Sequence, residues 1–162
     1  MSRKQPPMSA RRRSAARLAA VQSLYQMELS GGAPDQVVRD YLAHHVATAD
    51  PGDDDTVLVE PDGDMLTQIV FGTTMQREKL DTLIGSHLSG DWTIERLEAI
   101  VRAVLRAGVF ELTHREDIPP KVTINEYVDI AHAFYSGAEP GMVNAVLDRV
   151  ARQDRGPEMG TH

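Results

Sequence analysis

Apolar residues recur along most of this chain at steps of three and four, the spacing that lines up one face of an α-helix. Leu18, Val21, Leu24, Tyr25 and Leu29 predict a first helix beginning near Ser14, and Val37, Val38, Tyr41, Leu42 and Val46 a short second one. Met65, Leu66, Ile69, Val70, Thr73, Leu80, Leu83, Ile84 and Leu88 resume the pattern. Within that run Gly72 marks a close crossing or a bend, and Gly85 and Gly90 a stop. The cleanest stripe is Leu97, Ile100, Val101, Val104, Leu105, Gly108, Val109 and Leu112. Gly108 costs up to ~1 kcal/mol against alanine in a helix, which predicts close packing of another backbone there. Pro119-Pro120 breaks this segment. Thr123-Ile124-Asn125-Glu126 then has the form of a capping box, flanked by Val122 and Tyr127 as a hydrophobic staple. That helix continues through Val128, Ala131 and Phe134 toward Gly137, and a last one starts near Pro140 with Val143, Val146, Leu147 and Val150 facing inward. Strand-like alternation is nearly absent. The expectation is an all-α domain of about six or seven amphipathic helices.

Two stretches escape the periodicity. Residues 47–64 are acidic and turn-rich, and no lysine or arginine lies between Arg39 and Arg77. Asp53, Asp54 and Asp55 are adjacent, without the spaced ligands and closing glutamate of a calcium loop, so a solvated acidic loop is expected. Residues 153–162 hold two glycines and a proline and predict a flexible tail. The division that follows is a basic arm at 1–12, a helical domain at 13–152 interrupted by the acidic loop, and the tail.

Composition narrows the function. With 162 residues the chain fits one domain, and an aromatic content of 5% leaves aliphatic side chains and alanine to fill its core. The absence of cysteine excludes disulfides and thiolate metal sites and agrees with a reducing compartment. No run of ~18 apolar residues is present to span a bilayer, and the basic N-terminus leads into an amphipathic pattern rather than a signal-peptide core. A cytoplasmic protein without a membrane partner is expected.

Charge is unevenly placed. The net charge is −7, yet Arg3, Lys4, Arg11, Arg12, Arg13 and Arg17 all precede the first carboxylate, Glu28. A polyanion feels local potential, so this stripe points to nucleic acid. A terminal charge run is more often a solvated tail, but here it leads into a predicted helix. Arg13 and Arg17, four apart, share one side of it, while Arg11 and Arg12 sit at its N-terminal approach beside N–H groups that favour phosphate. Guanidinium groups bind phosphate through paired hydrogen bonds and stack on bases.

Catalytic patterns are missing. His44, His45, His87, His114 and His132 lack metal-ligand spacing, and the chain holds no H-E-x-x-H, phosphate-loop or nucleophile-elbow sequence. No enzyme activity, metal or cofactor is expected. Glu126 is read as the capping partner, Asn125 and Asn144 as buried amides tying helices together, and Arg106 and Glu111 as surface residues of the central helix.

The stretch from Leu97 to Arg149 resembles the NusB family of transcription antitermination factors. The resemblance rests on Ala103-Val104-Leu105-Arg106, Phe110-Glu111-Leu112, Asp117-Ile118-Pro119, Lys121 to Glu126, and Val143-Asn144-Ala145-Val146-Leu147-Asp148. Arg13-Ser14-Ala15-Ala16-Arg17 and Val21-Gln22-Ser23-Leu24-Tyr25 are similar to the family's opening helix, and His87-Leu88 and Trp92 match before the central one. The resemblance implies a fold of two small helical bundles without catalytic chemistry. It implies binding of single-stranded boxA RNA, strengthened by the ribosomal protein NusE, and entry into RNA polymerase antitermination complexes on ribosomal RNA operons. Arg13 and Arg17 match the family's RNA-contacting arginines, with Arg11 and Arg12 adding charge, and Tyr25 matches a tyrosine near the partner and RNA surface. Met142 stands where the family has an RNA-facing phenylalanine, and offers less stacking area. Monomer and homodimer both remain open. Two other readings are a protein-interaction scaffold, and the NusB-like module that precedes RNA cytosine methyltransferase domains. No glycine-rich cofactor domain follows in this sequence, which favours the stand-alone factor.

Overall fold

The computed structural model describes residues 6–48 and 59–160, with side chains described for 6–44 and 59–160. The core of the expected acidic loop, 49–58, and the first five residues of the basic arm lie outside the described residues. The helices are α1 (Met8–Ser30), α2 (Pro34–Thr48), α3 (Gly63–Met75), α4 (Arg77–His87), α5 (Ala99–His114), α6 (Pro120–Phe134) and α7 (Glu139–Asp154). Short 3₁₀ turns cover Ile94–Arg96 and Gly156–Met159, and no strand occurs among the described residues. One group consists of α1, α2 and α3; α4 to α7 form the other, and α5 packs against α1, α3, α4, α6 and α7. That central position is why Val101 and every residue from Ala103 to Leu112 is buried.

Several boundaries differ from the periodicity. Helix α1 begins at Met8, directly after Pro7, so Arg11, Arg12 and Arg13 lie on the helix rather than before it. The Arg11 N–H already donates to the Pro7 carbonyl at 3.1 Å, which leaves no phosphate-seeking donor there. The inward face of α1 is also not the leucine face. Ala16, Ala19, Ala20 and Val21 are buried, whereas Leu18 and Leu29 are exposed. Small side chains let α1 approach α3 and α5 closely, and larger leucines are displaced outward. The helix closes at Gly31, whose left-handed φ of 73° lets its N–H donate to the Met27 carbonyl at 2.8 Å.

Predicted as one pattern, 65–88 is two helices. Gln76 leaves helical geometry (φ −110°, ψ 18°), capping α3 and starting α4. Gly85 sits inside α4 rather than at its end. Gly72 does mark a close crossing: a Cβ there would lie 2.1 Å from the Phe110 ring. At Gly108 the neighbours are the Leu147 and Tyr127 side chains, at 3.0 and 3.4 Å from a Cβ, not another backbone.

The capping box is overturned. Pro119 occupies the cap of α6 and Pro120 opens it, since a proline ring suits the first helical position. Thr123 therefore falls inside the helix and is buried, and Val122, the supposed staple, is exposed. Asn125 and Asn144 are exposed rather than buried ties. The expected tail from 153 is ordered through Met159, which is itself buried. Buried Arg155 secures it: Nη2 donates to the Glu116 and Ile118 carbonyls at 3.1 and 2.9 Å and to Glu158 at 2.6 Å.

Candidate nucleic-acid interface

The second turn of α1 carries three consecutive arginines. Consecutive helical residues point about 100° apart, so they fan out instead of forming one stripe. Arg12 is exposed and its Nε donates to the Glu60 carbonyl at 3.2 Å. The Asp62 N–H donates back to the Arg12 carbonyl at 3.0 Å, which anchors the entry to α3 against this turn. Arg11 and Arg13 are half-buried. Arg13 lies near Asp117 in the α5–α6 connection; hydrogen bonds from Arg115 first, and the Arg115 and Arg13 charges after burial's opposing effect, hold the Asp117 carboxyl below its usual range. Lys121 is exposed in the first turn of α6.

Arg17 belongs elsewhere. It is 2% exposed and Glu111 is 0% exposed. Its Nε donates to both Glu111 carboxylate oxygens at 3.0 Å, and Nη2 donates to Oε1 at 2.6 Å. The remaining nitrogen, Nη1, donates to Glu126 Oε1 at 2.8 Å. Burial works against the guanidinium charge, but the hydrogen bonds and charge of Glu111 outweigh it and raise the group above its ordinary value. Ser14 Oγ donates to the same Glu126 oxygen at 2.5 Å, and Thr123 Oγ1 to Glu111 at 3.4 Å. The expectation that Arg17 contacts RNA is therefore corrected: it is 2% exposed and each of its three nitrogens donates inside the protein, clamping α1 to α5 and α6. Glu126 is part of that clamp rather than a cap.

Met142 is corrected likewise. At 9% exposed it belongs to the core beside Val143 and Val146, so it presents little surface to a base. Tyr25 is half-buried near Tyr135, twelve residues beyond Arg13, which is ~18 Å along the helix. The structure thus brings Arg11, Arg12 and Arg13 together, sets Tyr25 apart, and withdraws Arg17 and Met142.

Sequence reasoning also missed Arg106 and Glu111 as buried charges. Arg106 donates to both Asp81 oxygens, at 2.7 and 2.9 Å, and approaches Glu28 at 3.6 Å, while Arg102 pairs with Glu28. A signal existed: a carboxylate and a guanidinium inside the most apolar helix must each find a buried partner. Among the described residues no three His, Asp or Glu side chains converge as metal ligands. None of the described helices is long and apolar enough to cross a membrane.

Comparison with known proteins decides the relationship. The NusB family pattern matches residues 14–152. The chain belongs to the NusB family. The transcription antitermination protein NusB of Rhodospirillum rubrum is 51% identical, with 92% of this chain and 88% of that protein covered. The NusB of Rhizobium rhizogenes is 48% identical, covering 93% of this chain and 92% of its own. Among solved structures, NusB of T. maritima superimposes with a TM-score of 0.71 at 26% identity, covering 96% of this chain and 98% of that one. A crystal structure of NusB and NusE with double-stranded RNA contains a chain with a TM-score of 0.71 at 22% identity, covering 88% of this chain and 98% of that one, a likeness of fold. The two-bundle NusB fold expected from sequence is the fold observed.

Proposed function

We propose that this protein is a non-catalytic transcription antitermination factor that binds single-stranded boxA-type RNA together with NusE. It joins the RNA polymerase antitermination complex, notably on ribosomal RNA operons, and works in the cytoplasm. The observation that carries the reading is the 51% identity to an antitermination protein along nearly the full length of both chains. The arginine turn of α1 supports it physically, because Arg11, Arg12 and Arg13 crowd positive charge onto a protein of net charge −7. In this reading Arg11, Arg12 and Arg13 neutralise phosphates, and Tyr25 serves the more distant partner or RNA surface. Unstacked bases of a single strand are accessible for recognition, unlike those in the deep groove of duplex RNA.

A mobility-shift titration with boxA-type RNA and a scrambled control, each with and without NusE, tests the reading. Tighter binding of boxA RNA, strengthened by NusE, is expected. Equal affinity for both RNAs in the presence of NusE refutes it and leaves the scaffold reading.

A further inference from the structure

The C-terminal ends of α1 and α3, the start of α4 and the middle of α5 enclose a half-open cleft of about 230 Å³. It lies at the far end of α1 from Arg11–Arg13, and none of those arginines lines it. Leu24, Met27 and Ala103 give it an apolar wall. Its polar lining is incompletely satisfied. Thr73 is 2% exposed and its hydroxyl has no hydrogen-bond partner, an unfavourable state for a buried polar group. Arg106 gives Nε and Nη2 to Asp81, but Nη1 only approaches Glu28 Oε2, at 3.6 Å. Arg77 is 60% exposed and lies 4.0 Å from Asp81 Oδ2, an oxygen that Arg106 already holds at 2.9 Å.

Charge shows the same deficit. Arg77, Arg102 and Arg106 stand against Glu28 and Asp81, and Arg102 is engaged with Glu28. One negative charge is lacking.

We propose that this cleft binds a small organic monocarboxylate. Its carboxylate pairs with Arg77 and Arg106 Nη1, the Thr73 hydroxyl supplies a further donor, and a short hydrocarbon part lies against Leu24 and Met27. A carboxylate brings the single charge that is lacking and suits the guanidinium fork, whereas a phosphate monoester brings nearly two. Glu28, on the cleft wall, disfavours that second charge. The volume corresponds to about eight water-sized groups at ~30 Å³ each, which fits a body of a few carbons rather than a peptide or a nucleotide.

Butyrate is the probe, titrated into the ¹⁵N-labelled full chain and followed by NMR at constant ionic strength, with butylamine and n-butyl phosphate as controls. Saturable shifts around residues 24–32, 73–77 and 103–106 are expected, with a dissociation constant of about a millimolar. Butylamine should not bind, and butyl phosphate should bind more weakly. Arg77→Ala, at an exposed position, should weaken butyrate binding about tenfold. Thr73→Val keeps the side-chain shape and should weaken it about fivefold, yet melt at or above the wild-type temperature, because the hydroxyl has no partner to lose in the free protein. A hydroxyl with a merely structural place would leave butyrate affinity unmoved. Absence of saturable butyrate shifts, an equal response to butylamine, or wild-type affinity in Arg77→Ala or Thr73→Val overturns the proposal. Tighter binding of butyl phosphate than of butyrate overturns the carboxylate assignment. Should Thr73→Val fail to fold, Arg77→Ala decides.

Discussion

Replacing Arg17 by methionine keeps much of the aliphatic stem and removes the guanidinium. Glu111, with no exposed surface, then loses all three of its hydrogen bonds from Arg17 and keeps the 3.4 Å contact from Thr123. Breaking a buried pair by deleting one partner costs about 3–5 kcal/mol, because the other charge stays buried without compensation. A domain's total stability is about 5–15 kcal/mol, so about a fifth or more of it is at stake. At about 2–4 °C per kcal/mol for a chain of this size, the melting temperature should fall by about 6–20 °C. The assay is urea unfolding followed by circular dichroism at 222 nm, where the midpoint should drop at constant slope. Arg17→Met combined with Glu111→Leu should recover most of the loss, since a buried ion pair is often no better than well-packed apolar residues. A variant Arg17→Met as stable as wild type, with RNA affinity and salt dependence both reduced, refutes the reasoning and returns Arg17 to the RNA surface.

Gly72→Ala forces a methyl group to within 2.1 Å of the buried Phe110 ring, and should cost about 1–3 kcal/mol by thermal melting, partly restored by Phe110→Leu. Asp117→Asn removes a carboxylate paired with Arg115 at 3.0 Å and felt by Arg13; RNA binding should tighten by up to about fivefold, read by anisotropy at low salt. Tyr127 is fully buried, and burial first, then the Glu111 charge, raises its phenol well above the usual value. A folded-state value above the unfolded one means that this stabilisation is complete below about pH 10 and is lost as pH rises through the folded value. Tyr127→Phe deletes the titrating hydroxyl and should remove that alkaline limb, measured by urea midpoints across pH.

Helix existence was legible because burial of one face imposes its period on the sequence. Leu97 to Leu112 and Val143 to Val150 bury as their spacing requires. What escaped was set by tertiary context. On α1 the larger leucines misled: the close approach to α3 and α5 selects alanines for the interior, and Leu18 remains outside. The capping pattern at Thr123–Glu126 was local, and it lost to Pro119-Pro120, whose fixed backbone starts α6 about one turn earlier. Glu126 instead meets a guanidinium from α1, a contact between positions 109 apart that no local pattern encodes. The basic stripe showed which end of the chain holds positive charge. It did not show that one arginine of the stripe faces inward, because Arg17 is distinguished from Arg13 only by the carboxylate waiting on α5. The break at Gln76 had no glycine or proline to announce it.

In the proposed function RNA is held by the turn Arg11–Arg13 of α1, of which Arg12 is exposed and its neighbours half-buried, and not by the buried Arg17. The most direct measurement is the salt dependence of boxA RNA affinity for wild type and for Arg11→Ala/Arg12→Ala/Arg13→Ala, with melting curves alongside. At ~0.7 per phosphate on a single strand, the slope should shrink by as much as ~2, with weaker binding and a melting temperature near wild type. Unchanged affinity and slope in the folded triple variant would contradict the account.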